Sequence, residues 1–268
     1  MVDTARLSRA TLEAMAAQGR ELLACQRELE AAGSSVVAAA LEGAASVYEW
    51  QHYPPGDVHD PATHAQYFYH AHPASERKAA ERGRSERDER EHGHFHTFLR
   101  ARGMPPGARP LVMPELAIAD NPAAPKGPLI PSAPQSTEEE EGEPWSHLVA
   151  ISMDAAGRPL RFFTTNRWVT GETWYPAADV AAMLDRFVLG PTAPAPVLNR
   201  WLSALLGLYR PFLAELLVAR DAAVMEWRRR RRAKVHVFED RRLEVTSTLA
   251  IDLERQLDVT TAALRRVA

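Results

Sequence analysis

Histidine alternates with other residues through Glu91-His92-Gly93-His94-Phe95-His96-Thr97-Phe98-Leu99, with phenylalanine between and after the imidazoles. Read as a strand, its period of two sends His92, His94 and His96 to one face. A second alternating pair, His70-Ala71-His72, lies upstream, and His147 opens another apolar run downstream. Neighbouring strands carrying these residues place up to six imidazoles on one sheet. Side-by-side imidazoles repel when protonated and need partners when neutral, so such a face calls for a metal or a ligand.

The segments around that stretch can be read in chain order. Residues 4–32 form an amphipathic helix in which Leu12, Met15, Gly19, Leu22, Gln26 and Leu29 recur at three and four. Gly33-Ser34-Ser35 stops it, and a second helix begins at about Val36 and runs to Tyr53-Pro54-Pro55-Gly56. Asp57 to Pro61 is a loop by composition. Residues 66–72 are an aromatic-rich strand closed by Pro73. Twelve of the sixteen residues in 76–91 are charged, which makes this segment a solvated excursion with nothing to bury. Residues 103–145 hold half of the twenty prolines and an acidic run, Glu138 to Glu141, as a long loop.

His147 to Met153 and Leu160 to Thr165 flank Asp154-Ala155-Ala156-Gly157, a hairpin with glycine where the turn needs a left-handed residue. Pro176 opens a helix whose face is Val180, Met183, Leu184, Phe187 and Val188. A longer helical stretch from about Ala195 to Arg232 is kinked or divided at Pro211. Val235–Glu239 and Leu243–Ser247 read as short strands, and 251–266 as a last helix. The expected fold is α+β. An antiparallel sheet of about four to six strands packs with an N-terminal helical hairpin and C-terminal helices in a single domain, 1–268.

Four phrases in this chain resemble an uncharacterised bacterial family, a domain of unknown function, over most of its length. They are Tyr48-Glu49-Trp50-Gln51-His52-Tyr53-Pro54, Tyr69-His70-Ala71-His72-Pro73, Glu91 to Phe98, and Phe163-Thr164-Thr165-Asn166-Arg167-Trp168-Val169-Thr170-Gly171-Glu172. The resemblance implies a single domain. It brings no activity and no assigned ligands.

The chemistry therefore rests on the residues. His70, His72, His94 and His96 are the first candidate metal ligands, with His92 and His147 as further ligands or as groups that orient them. Three or four nitrogens with an open position suit Zn, Fe, Cu(II), Ni or Mn, and a chain with one cysteine, Cys25, has no thiolate cluster to offer. Glu91 and Glu49 are candidate carboxylate ligands or general bases. Arg167, beside Asn166 and Trp168, is either an anchor for an anionic substrate or a salt-bridge partner of Glu172; Tyr69 completes the substrate-facing set. His70-x-His72-x3-Glu76 imitates part of a cupin motif, but the charged segment that follows is no strand. Glu49-x-x-His52 has the spacing of di-iron bundles, though it stands at a helix end.

These residues lead to a metalloenzyme, hydrolytic or oxygen-using, acting on a small anionic or polar molecule. The competing reading is a non-enzymatic ligand-binding or pH- and metal-sensing protein built on the same histidines. A net charge of −3 gives no reason to expect nucleic acid, and Arg228 to Arg232 is a solvated helix end with only Trp227 as aromatic neighbour. With no apolar run long enough for a bilayer and no disulfide, no membrane partner is expected and a cytoplasmic location is.

Overall fold

The computed structural model describes residues 2–42, 44, 48, 51–72, 89–111, 143–191, 195–230 and 236–267. Its centre is a six-stranded antiparallel meander in chain order. The strands are β1 (His52–His59), β2 (Ala65–Ala71), β3 (Glu91–Arg100), β4 (Trp145–Asp154), β5 (Pro159–Thr165) and β6 (Val245–Ala250). The helices are α1 (Arg9–Ala31), α2 (Val36–Ala40), α3 (Arg167–Thr170), α4 (Ala177–Leu184), α5 (Pro196–Leu208), α6 (Arg210–Arg230) and α7 (Leu253–Val267). This is the expected α+β architecture.

Each N-terminal helix begins where a hydroxyl is available to replace a missing carbonyl partner. Ser8 accepts the Thr11 N–H and Ser35 accepts the Ala38 N–H. Between them Gly33 takes φ 65°, a conformation that ends α1 at little cost. The buried stripe of α1 is Leu12, Met15, Gly19, Leu22, Cys25 and Leu29, so Cys25 takes the place expected of Gln26. Pro211 sits in the first turn of α6, where its missing N–H costs nothing, and the chain bends by 74° between α5 and α6. No single helix among the described residues is long and apolar enough to cross a membrane.

One face of the sheet, with Tyr67, Tyr69, Phe95, Leu99, Val149, Ile151 and Phe162, joins α1, α2, α4, α5 and α6 in a single hydrophobic core. The opposite face carries the polar and histidine side chains, with a small aromatic cluster of Phe68, Phe98, Trp168 and Val169 at one end. The β4–β5 hairpin turns as expected, with Gly157 at φ 83°.

Four expectations are corrected. The second helix ends at Ala40, and the chain from His52 is strand β1. Its prolines are tolerated because β1 is an edge strand, where a missing donor breaks no ladder, and the pairing with β2 skips from Tyr53 to Val58 around them. The expected strand Val235–Glu239 contains a 3-10 turn at Val237–Glu239, and the following strand starts two residues later than read, at Val245. Val188 is exposed and does not belong to the buried face of α4. Glu49, most of 76–91, residues 112–142 and Arg231–Arg232 lie outside the described residues.

Candidate metal centre

A row of side chains crosses the whole sheet. Pairing register sets His52 (β1) opposite His70 (β2), His70 opposite His94 (β3), His94 opposite Ser152 (β4), and Ser152 opposite Arg161 (β5). Directly opposed residues share a face with Cβ atoms about 5 Å apart. Three imidazoles, a hydroxyl and a guanidinium therefore stand side by side. The next row is aromatic around one imidazole: Phe68, His96, Ala150 and Phe163.

The ladder from β3 to β4 is irregular at its start. Glu91 pairs with Asp154 and Gly93 with Met153, so β3 spends two steps where β4 spends one. A bulge of this kind breaks the period of two and re-aims the side chains on either side of it. Glu91 consequently joins the histidine face, and His92 leaves it, its Nδ1 lying 2.8 Å from Tyr69 Oη and its ring stacked beside that of Tyr69. Gly93 permits the crossing: a Cβ there would fall 2.3 Å from the carbonyl oxygen of His70.

His70, His72 and His94 each present a ligand atom, all within 4.8 Å of one another, and all three residues are buried. His72 Nε2, His94 Nδ1 and Glu91 Oε1 close a smaller triangle with edges of 2.9, 3.0 and 3.2 Å. With the Glu91 carboxylate anionic, protons cannot satisfy every edge of that triangle. A neutral imidazole brings one N–H; with both nitrogens protonated the 2.9 Å edge sets donor against donor, and with fewer protons another edge sets lone pair against lone pair. A cation among the three atoms satisfies every edge, and tetrahedral bonds of 2.0–2.1 Å to zinc would space its donors ~3.3 Å apart.

Glu91 is kept anionic. Burial raises its pKa, but contacts with His72 and His94 and a hydrogen bond donated by Ser152 Oγ at 2.5 Å outweigh burial and hold the carboxyl well below the usual range. Arg161 adds a guanidinium N–H at 3.4 Å from Glu91 Oε2.

Beside this triangle lies a second pair, His96 and His147, with Nδ1 and Nε2 at 3.1 Å. Both are kept neutral. Burial, together with the charges that neighbouring His94, His147, His70 and His52 would carry, depresses the His96 pKa; burial, Arg220 and His94 bring His147 down to about 3. The His147 backbone N–H donates to Glu172, whose carboxyl is itself fully buried and pushed up to about 7 despite the opposing pull of Arg220.

His52 was expected only in a helical Glu49-x-x-His52 pair, because its stretch read as the end of a helix, whereas it opens strand β1. Its Nδ1 is 2.7 Å from Asp57 Oδ1, and Asp57 Oδ2 accepts from Gln66, which in turn accepts from Arg100. The opposite nitrogen, Nε2, is buried with no hydrogen-bond partner, as is His96 Nε2. A carboxylate on one imidazole nitrogen and nothing on the other is the usual arrangement of a histidine poised to meet a metal or a metal-bound molecule. Asp57 holds φ 59° to reach His52, an unusual conformation for a residue other than glycine. Ser152 and Arg161 were also missed. The available signal was Arg161-x-Phe163-x-Thr165, a period-two face on the very hairpin that the sequence makes plain.

A family model described as a domain of unknown function, DUF6969, matches residues 16–251. The chain belongs to this family. No curated protein and no solved structure matches it. Every residue of the row from His52 to Arg161 lies inside the DUF6969 match, whereas α7 begins just beyond it.

The substrate-facing set is placed elsewhere. Arg167, buried in α3, pairs with Glu239 rather than Glu172. Asn166 Oδ1 caps α3 at the Arg167 N–H, and its Nδ2 donates to the Val237 carbonyl. Trp168 packs against Phe68 and Phe98 and donates from Nε1 to the Leu243 carbonyl. Tyr69 lies on the core face. Of these four only Trp168 borders the histidine face, through Phe68.

Proposed function

We propose that this DUF6969 chain binds one divalent transition metal through His70, His72, His94 and Glu91, and uses it as a metalloenzyme on a small anionic or polar molecule. The observation that carries the reading is the triangle of His72, His94 and Glu91, in which protons on two imidazoles beside an anionic carboxylate leave one edge unsatisfied. Glu91 serves as a ligand here rather than as a free base, since its Oε1 is shared by two imidazoles. Imidazole with carboxylate suits zinc, iron(II), manganese, nickel or copper(II). Bound there, such an ion would polarise water or hold dioxygen at an open position. The chain's own residues would do the rest. Ser152 and Arg161 fix the Glu91 carboxylate, Asp57 fixes His52 beside His70, and the aromatic row of Phe68 and Phe163 keeps the neighbourhood dry.

The second reading, a non-enzymatic metal or pH sensor, draws on the burial of His96 and His147 as neutral imidazoles. An open coordination position separates the two. Loading metal-free protein with Mn(II) and measuring water-proton relaxation tests for it: an enzyme gives an enhancement above that of a closed site, from exchangeable water on the ion. A bound ion with no enhancement supports the sensor, and failure to bind Mn(II), Co(II) or Zn(II) ends both metal readings.

A further inference from the structure

Arg161 is the residue of the cross-sheet row whose hydrogen-bonding capacity is least used. A guanidinium carries five N–H donors in a planar fork. Among the described residues it reaches Glu91 Oε2 with Nη2 at 3.4 Å, and its Nε is buried with no hydrogen-bond partner. The side chain is about one-fifth exposed, while Glu91 beside it is almost fully buried, so Arg161 stands between the cluster and the outside. It lies over the Phe163 ring at 5.4 Å, and Phe163 meets the edge of His94 at 5.2 Å, which keeps the guanidinium on the metal side of the strand.

Charge accounting gives this fork a purpose. With a divalent ion in place and neutral imidazoles, Glu91 supplies one negative charge and Arg161 one positive. The sum is a net charge of two positive units in a largely buried site. Two neighbouring sets of charges cancel locally, Asp57 with Arg100 through Gln66 and Asp154 with Arg158. A buried excess of that size is costly unless an anion joins it.

We propose that Arg161, not Arg167, anchors the ligand of this site, and that the ligand is a small dicarboxylate giving one carboxylate to the metal and the other to the Arg161 fork. The inference rests on the metal reading above, and its test separates the two. Arg161 is two strands from His94, with strands ~4.8 Å apart, so a ligand of a few carbon atoms spans the gap. A bidentate carboxylate engages the Nε and Nη edge that a lysine cannot reproduce.

The test is calorimetric titration of malonate, with neutral malonamide as control, into Co(II)-loaded wild type, Arg161→Gln and Arg161→Lys, each checked for metal content and for fold by circular dichroism. The expected result is malonate binding weakened ~10–100-fold in Arg161→Gln, the range for losing a charge-assisted hydrogen bond, with partial recovery in Arg161→Lys and no binding of malonamide. Equal malonate affinity in wild type and Arg161→Gln overturns the inference, as does wild type that binds no malonate. If the chain takes up no cobalt, the metal reading fails on its own. The same titration of the metal-free protein then decides whether Arg161 binds the anion.

Discussion

The Glu91 carboxylate joins the two halves of the site: Oε1 faces His72 and His94, and Oε2 takes the hydrogen of Ser152 and faces Arg161. A ligand held this way depends on the groups behind it. Ser152→Ala removes the 2.5 Å hydrogen bond without touching the donor triangle, so metal affinity is expected to fall ~10–100-fold, the usual cost of an outer partner. Glu91→Gln removes a ligand and is expected to cost more than that. Competition with a chromophoric chelator measures both, and equal affinities in wild type and Glu91→Gln would remove the carboxylate from the site. At this scale the sequence was partly legible. His70, His72 and His94 declared themselves by alternation, because a period of two survives in any strand. His92 misled for the same reason: a bulge is one residue of extra backbone, and nothing in the alternation of side chains announces it. Arg167 looked like an anchor beside Asn166 and Trp168, yet its partner, Glu239, is distant in sequence.

Among the elements, β3 carries the site, and its bulge decides which of its side chains reach it. Gly93 makes the bulge possible, since a Cβ at that position would collide with the His70 carbonyl and with Tyr69. Gly93→Ala is expected to destabilise the fold by about 1–3 kcal/mol, as overpacking does, and to loosen metal binding by shifting Glu91. Thermal denaturation with and without metal checks this; an unchanged Tm together with unchanged metal affinity would show that the bulge does not hold the site. The β4–β5 hairpin was readable from Asp154-Ala155-Ala156-Gly157 because turn chemistry is local. Strand β1 was not. Pro54 and Pro55 signal the end of a helix as readily as an edge strand, and only the position of β1 at the rim of the sheet decides between them.

Across the whole molecule, one sheet face is hydrocarbon against helices and the other is a buried polar layer, which ties stability to pH. His147 is held neutral with its pKa near 3, below its ordinary value of 6.5. As pH falls below 6.5 the unfolded chain takes up a proton that the fold refuses, so stability is lost progressively down to about pH 3. Glu172 acts with the opposite sign. Its pKa near 7 means the fold holds a proton that the unfolded chain releases above 4.5, so stability falls as pH rises from 4.5 to 7. Of these two His147 has the larger shift, and the lowered pKa values of His96 and Glu91 act in the same direction, so metal-free protein is expected to lose stability between pH 6.5 and 3. His147→Gln should flatten that loss in urea titrations across the range; an unaltered profile would mean that His147 is not the buried group responsible. The two-faced sheet between helices was legible as an α+β pattern. The polar depth of the second face was not, because Asp57, Gln66 and Arg100 come from three different strands and meet only in the folded chain, as do Glu172 and His147.

Elemental analysis of protein purified without a histidine tag shows whether His72, His94 and Glu91 converge on a metal ion. Wild type is expected to retain close to one transition-metal ion per chain after exhaustive dialysis, and the His72→Ala, His94→Ala variant, still folded by circular dichroism, is expected to retain none. Equal metal content in the two proteins would contradict the account.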